Sequence, residues 1–176
     1  MIEELHFIEP DLRAIDGASA EVIACAAFAD ERPLRGLAGL LDWRLGGRLA
    51  SLAKSDFLRG EEGEVVLVPG RPRLPFEKIL VLGLGPRASF GDDVVRRALA
   101  RLVTTLEGLN VKRALVELPG RASGDLAPER AAELVLACAE PALEHEMWTL
   151  VDSPDAEEPM ARKLVRRRDA RSRPGA

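Results

Sequence analysis

Lys78-Ile79-Leu80-Val81-Leu82-Gly83-Leu84-Gly85 is the stretch of this sequence that decides the fold. Its apolar run is uninterrupted, whereas a strand with one face in water alternates apolar and polar residues. The run Glu21 to Phe28 has the same character and ends at a turn-forming Ala29-Asp30-Glu31-Arg32-Pro33. Both runs are therefore predicted to be interior strands of a sheet that is covered on its two faces.

Strand-like and helix-like segments alternate along almost the whole chain. Strands are predicted at 4–8, 21–28, 64–69, 78–85, 113–118 and 145–151, and helices begin near residues 34, 92, 128 and 153. This order is typical of a layered α/β domain. We expect one domain over residues 1–153, followed by a short helix and a basic tail over residues 154–176.

A leucine stripe marks the first long helical segment: Leu34, Leu37, Leu41, Leu45, Leu49 and Leu52 recur every three or four residues and share one side. Four glycines interrupt it, at positions 36, 39, 46 and 47. Each mid-helix glycine costs roughly 1 kcal/mol relative to alanine. The sequence predicts either a helix break at Gly46-Gly47 or a close approach of another backbone at these positions.

The composition, 47% hydrophobic and 31% charged over 176 residues, is that of a globular protein rather than a disordered one. No apolar run is long enough for a membrane-spanning helix, and the first residues lack the pattern of an export signal, so a cytoplasmic location is expected. Cys25 and Cys138 lie far apart in apolar stretches and are predicted to be free thiols.

Four stretches carry a family resemblance: Phe28 to Leu34, Leu41 to Leu49, Asp56 to Glu64 and Ile79 to Gly85. In this order and spacing the chain resembles the N-terminal, non-catalytic domain of the leucyl aminopeptidases, peptidase family M17, over most of residues 1–150. The resemblance implies a macro-domain-like fold, three α/β/α layers around a twisted mixed sheet. In that family a separate C-terminal domain holds the two metal ions and an Asn-Thr-Asp-Ala-Glu-Gly-Arg-Leu motif, which this sequence lacks. No aminopeptidase activity is therefore expected.

The residues themselves offer no catalytic site, metal site or cofactor. The two histidines, His6 and His145, fall in predicted strands and have no metal-ligand spacing with a cysteine or carboxylate. No serine lies in a Gly-x-Ser-x-Gly elbow. A general acid-base pair stays a minor alternative, because acidic residues are numerous.

The turn Gly83-Leu84-Gly85-Pro86 is the candidate ligand site, because a glycine turn between a central strand and a helix directs amides toward a phosphate. Ala88 stands where the third glycine of a dinucleotide fingerprint belongs, and no P-loop lysine follows. The macro-domain resemblance adds that ADP-ribose is a ligand of this class, with Asp16 as the nearest acidic candidate facing the base. The alternative is a tight turn that serves packing alone.

Charge is concentrated at the C-terminus. The whole chain carries −4, but residues 162–176 carry +6, so the body carries −10. The cluster Arg166, Arg167 and Arg168 is the candidate contact for nucleic acid or an acidic protein. No aromatic residue is interleaved for base stacking, which makes nucleic acid the weaker partner. The alternatives are a solvated tail or the vestige of a linker to a catalytic domain.

The leading hypothesis from the sequence is a stand-alone binding or assembly module that acts on a protein partner, either a catalytic homologue or further copies of itself. The first alternative is a macro-like domain that binds ADP-ribose or a related phosphate ligand. The second is an accessory protein that grips DNA or an acidic partner through its basic tail. No cofactor and no membrane contact are expected.

Overall fold

A computed structural model describes residues 6–145 and 147–171, with side chains described for 6–139 and 147–163. The strands are β1 (His6–Ile8), β2 (Val22–Ala27), β3 (Val65–Pro69), β4 (Lys78–Gly83), β5 (Arg113–Val116) and β6 (Met147–Val151). The helices are α1 (Leu12–Gly17), α2 (Gly36–Arg44), α3 (Arg48–Lys54), α4 (Asp92–Gly108), α5 (Pro128–His145) and α6 (Pro154–Arg171).

The strands form one mixed sheet in the order β1-β6-β5-β2-β4-β3. The two apolar runs of the sequence are neighbours: β2 pairs with β4 in parallel register from Val22↔Lys78 to Ala27↔Gly83. The outer strand β3 is antiparallel to β4, and every other pair is parallel. The prediction of central strands at 21–28 and 78–85 is confirmed.

Two apolar layers cover the sheet, which confirms the α/β/α architecture. On one face the core includes residues of α4, α5 and α6, among them Leu99, Val135 and Met160. On the other face it includes residues of α1, α2 and α3. Each fully buried leucine of these layers stabilises the fold by roughly 2 kcal/mol. Trp148 is buried in the first layer.

The leucine stripe folds as two helices, because the chain breaks at Gly46-Gly47 between α2 and α3. Both glycines have positive φ, 67° and 83°, which other residues adopt rarely. Gly39 shows the other predicted use of glycine: a Cβ there would lie 2.7 Å from the carbonyl oxygen of Leu34. Both readings of the glycines are therefore correct, at different positions.

Three features differ from the sequence expectations. Helix α1 is not predicted, and its start depends on Asp11, whose side chain accepts hydrogen bonds from the amides of Arg13 and Ala14. His145 ends α5 instead of opening a strand, because β6 begins at Met147. Helix α6 is longer than expected and reaches Arg171. In the described part of the chain, no helix is long and apolar enough to cross a membrane.

The boundary predicted after residue 153 falls at the junction of β6 and α6. The first turns of α6 belong to the main core, since Ala156 and Met160 are buried in the layer that α4 and α5 form. Cys25 and Cys138 are free thiols; Cys25 is buried and Cys138 is half-buried.

Candidate functional site at the carboxyl edge of the sheet

A small cleft lies where β2, β4 and β5 end. Parallel strands finish at the same edge of a sheet, and this edge is where α/β folds place their ligands. Phe28 after β2 and Leu84 after β4 form the apolar part of the wall. The charged lining residues are Glu31, Arg35, Arg87 and Glu117, and the cleft has a volume of about 130 Å³.

Glu117 follows β5 directly and is a buried charged residue, at 5% exposed. Its Oε1 accepts a hydrogen bond from the Leu37 amide at 2.8 Å. Helix α2 has no side-chain cap of its own, because Arg35 at its N-cap makes no such bond. Glu117 therefore satisfies one of the amides that every helix start leaves unpaired, although it lies 80 residues further along the chain than Leu37.

Burial raises the pKa of Glu117 to about 7. Hydrogen bonds from the Leu37 and Ala26 amides lower the pKa, and the nearby charges of Asp152 and Glu31 raise it. Both the neutral and the ionised carboxyl are therefore populated near neutral pH. Burial likewise raises the pKa of the Cys25 thiol, and the charge of Glu117 adds to that effect.

The loop 118–126 closes over Glu117. Gly36 has φ 57°, and a Cβ there would lie 2.5 Å from the Ala122 Cβ and 2.9 Å from the Glu117 Oε1. Arg121 ties the same loop to the end of β6 by a two-pronged ion pair with Asp152, Nε to Oδ2 at 2.8 Å and Nη2 to Oδ1 at 3.1 Å. Both side chains are largely buried. The start of α2 is thus clamped between β5 and this loop.

Arg87 forms the opposite rim. Its Nε lies 3.0 Å from the Asp125 carboxylate, and its Nη2 donates to the Ser123 carbonyl oxygen at 3.2 Å. Its guanidinium carbon lies 5.8 Å from the centre of the Phe28 ring, a cation–π distance. Arg35 is exposed and forms no ion pair in the part of the chain whose side chains are described. The positive charge open to a ligand is therefore mainly that of Arg35.

The glycine turn after β4 is occupied by the chain itself. The amides of Gly83, Leu84 and Gly85 donate to the carbonyl oxygens of Glu64, Ala27 and Gly60 at 2.8, 3.0 and 2.9 Å. A Cβ on Gly83 would lie 1.9 Å from the Glu61 carbonyl oxygen. These contacts are those of a packed turn, and ligand binding by Gly83 and Gly85 stays a prediction.

Asp16 lies elsewhere in the fold. It is in α1, before the start of β2, and its carboxylate pairs with Arg44, the last residue of α2, at 2.7 and 3.1 Å. Helix α2 starts at the Glu117 cleft and its nine residues extend about 13 Å from there. The structure therefore does not bring Asp16 together with Gly83 and Gly85.

The predicted contact through the arginine cluster stays a prediction. Arg166, Arg167 and Arg168 lie in α6, but their side chains are outside the described residues. No group of histidine, cysteine or acidic side chains in the described part of the chain is arranged to hold a metal ion.

Sequence reasoning missed Glu117 and the loop after it. The available signal was a glutamate placed between a buried strand, 114–116, and Pro119-Gly120.

Comparison with known proteins supports the resemblance. A probable cytosol aminopeptidase of Alkaliphilus oremlandii is 27% identical over 121 residues, which are 69% of this chain and 24% of that protein. A tomato leucine aminopeptidase superposes with TM-score 0.60 at 13% identity, over 92% of this chain and 36% of that one. A mutant Oceanobacillus iheyensis macrodomain solved with ADPR superposes with TM-score 0.75 at 14% identity, over 96% and 97% of the two chains.

The structural likenesses show a macrodomain-like fold, as the sequence resemblance implies. The chain spans a quarter or less of the length of the curated relatives it matches. The family model that matches describes the N-terminal domain of the cytosol aminopeptidase family and covers residues 22–144, well over half of the chain. This chain therefore belongs to the cytosol aminopeptidase family, through the N-terminal domain of that family.

Proposed function

We propose that this chain is a non-catalytic binding and assembly domain, which acts through its outer surface on a catalytic homologue or on further copies of itself. One observation carries the proposal: the carboxyl edge of the sheet is filled by the chain's own segments. Residues 60–62 cover the turn after β4, and the loop 118–126 covers Glu117. Little of the edge is left for a substrate.

The size of the cleft supports this proposal. Its volume of about 130 Å³ is below the roughly 300–1,000 Å³ of small-molecule sites. The surface, in contrast, exposes large apolar side chains of the kind that partners cover: Trp43, Phe57, Leu67 and Met147. The family match, restricted to the N-terminal domain, supports a role outside the peptide chemistry.

Two measurements on the purified chain test the proposal. We expect no metal-dependent release of leucine from leucyl-p-nitroanilide with added Mn²⁺ or Zn²⁺, and we expect a complex with a full-length cytosol aminopeptidase or a self-assembled species in sedimentation. Metal-dependent hydrolysis that follows the protein through purification would overturn the non-catalytic part. A chain that stays monomeric and does not bind the full-length enzyme would overturn the assembly part.

A nucleotide-like ligand is the second candidate, favoured by the position of the cleft and by the macrodomain neighbour solved with ADPR. Calorimetry with ADP-ribose decides it. Binding that Arg35→Glu abolishes, and that the matched exposed variant Arg48→Glu leaves intact, would establish the cleft as the site. No heat at millimolar ADP-ribose would remove this candidate.

The third candidate is an accessory protein that binds an acidic partner or DNA through the cluster Arg166, Arg167 and Arg168. Contact between the Arg166–Arg168 cluster and an acidic partner predicts binding that weakens steeply as salt rises and that is lost on deletion of residues 162–176.

A cytoplasmic location is supported by the cytosol aminopeptidase relatives. Immunolocalisation of the tagged chain checks it.

A further inference from the structure

The outer strand β3 has one free edge. The amide of Gly83 donates to Glu64, and the amide of Gly70 donates to Glu77, so the even-numbered residues of this segment form the hydrogen-bonded pairs with β4. The backbone groups of Val65, Leu67 and Pro69 consequently point away from β4. In the described part of the chain, the Val65 and Leu67 amides donate to no other segment.

This edge has little of the protection that edge strands commonly have. A charged side chain, a bulge or a proline usually prevents a second strand from pairing there. Val65, Leu67 and Pro69 are all uncharged, and they share one face of the sheet because side chains alternate along a strand. Leu67 is 44% exposed on that face. Only Pro69, which has no N–H, weakens the edge.

We propose that β3 pairs with β3 of a second copy of this chain, antiparallel and centred on Leu67, so that two six-stranded sheets become one. This inference rests on the proposed assembly function and names its partner and surface. The two Leu67 residues exchange their N–H···O bonds, and each Val65 amide donates to the Pro69 carbonyl oxygen of the other copy. The two Leu67 side chains become direct cross-strand neighbours and bury each other.

The charges beside β3 fit an antiparallel pair and oppose a parallel one. Acidic residues precede the strand and basic residues follow it: Glu61, Glu62 and Glu64, then Arg71 and Arg73. Antiparallel pairing places the acidic end of one copy beside the basic end of the other. Arg71 and Arg73 are exposed and form no ion pair with the described side chains. Glu61 is exposed, with its carboxylate 3.6 Å from Arg59. A parallel pair would bring like charges together.

Sedimentation equilibrium of the full chain between 1 and 200 μM tests the inference through two substitutions of opposite expected sign. Leu67→Pro removes an outward amide and the central side chain but no bond to β4, and should raise the dimer dissociation constant at least tenfold. Pro69→Ala supplies the missing outward amide on both copies, and should lower the dissociation constant severalfold. If Leu67→Pro fails to fold, Pro69→Ala still decides the question.

A charge-reversal cycle tests the orientation. Arg73→Glu and Glu61→Arg should each weaken the dimer at low salt, and the double variant should restore it. A wild-type monomer at 200 μM overturns the inference, even if the chain binds a full-length aminopeptidase and so retains the proposed function. A wild-type dimer that neither Leu67→Pro nor Pro69→Ala alters also overturns it, and leaves assembly through another surface standing.

Discussion

The carboxyl edge of the sheet and the outer edge of β3 belong to the same sheet, but their backbone polar groups differ in hydrogen bonding. At the carboxyl edge, the amides after β4 and the start of α2 are bonded to carbonyls and to Glu117. Along β3, the Val65 and Leu67 amides face outward with an exposed leucine beside them. Buried polar groups must be satisfied internally, whereas exposed ones stay available to a partner. We therefore expect the proposed partner to bind at the outer edge of β3 rather than at the carboxyl ends of the strands.

The largest expected effect concerns the covered turn after β4. Gly83→Ala should destabilise the protein by about 5 kcal/mol or prevent folding, because its Cβ would meet the Glu61 carbonyl oxygen, a backbone atom that cannot swing aside. Urea denaturation measures the change. Gly108→Ala at the end of α4, where the new Cβ meets nothing within 4 Å, is the control and should stabilise by up to about 1 kcal/mol. A mild effect at Gly83 would mean that the carboxyl edge is looser than the structure shows.

The next effect concerns the clamp on the loop 118–126. Arg121→Met should cost about 4 kcal/mol, because it leaves the Asp152 carboxylate largely buried without its cation. The double variant Arg121→Met with Asp152→Leu should recover much of that loss, since no unpaired charge remains. Thermal unfolding of the two variants gives the difference. Equal destabilisation by both would show that the ion pair itself, and not the stranded charge, holds the loop.

Glu117 gives the pH dependence. Its folded pKa of about 7 lies above the ordinary 4.5, so folded protein holds a proton that unfolded protein releases. The free energy of unfolding should therefore fall as pH rises from roughly 4.5 to 7, and level off above that. The free energy of unfolding of Glu117→Gln should not show this fall. Relative to the wild type, it should rise by on the order of 3 kcal/mol between pH 4.5 and 8.

Denaturant unfolding of the wild type and Glu117→Gln at several pH values checks this prediction. The exposed variant Arg48→Gln is the control, because arginine does not titrate in this range. A stability difference between Glu117→Gln and wild type that stays constant with pH would show that the carboxyl is not buried in solution.

The smallest stability effect is expected at the open edge. Leu67→Thr should change the free energy of unfolding of the monomer by no more than about 0.5 kcal/mol, because the side chain is 44% exposed and threonine suits a strand. Chemical denaturation at low protein concentration measures it. A loss above 2 kcal/mol would mean that Leu67 already packs within the monomer, and the contrast between the two edges would disappear.

The central strands and the two helix layers could be predicted because their signals are local. Uninterrupted apolar runs identified β2 and β4, and the leucine stripe identified α2 and α3. Helix α1 was missed because its six residues carry too little periodicity, although Asp11 was a capping signal. His145 was misassigned because the boundary between α5 and β6 passes within two residues of it, and boundaries are weakly encoded.

The candidate site was harder to predict than the fold. Gly83 and Gly85 lie at the end of a central strand, as expected, but nothing local to that turn shows that the carbonyl oxygens of Ala27, Gly60 and Glu64 would occupy its amides. The roles of Asp16 and Glu117 also depend on residues far away in the chain. Asp16 pairs with Arg44 at the C-terminal end of α2, and Glu117 caps the N-terminal end of the same helix.

The sequence by itself determined the α/β class, the interior strands and the family, because each follows from residues that are neighbours along the chain. It gave the break at Gly46-Gly47 as one of two alternatives. Only the tertiary structure decided that Glu117 caps α2, that Arg121 holds Asp152, and that β3 lies outermost with a free edge. Such contacts join residues tens of positions apart. Their burial and pairing depend on how the layers close, which no local pattern of side chains encodes.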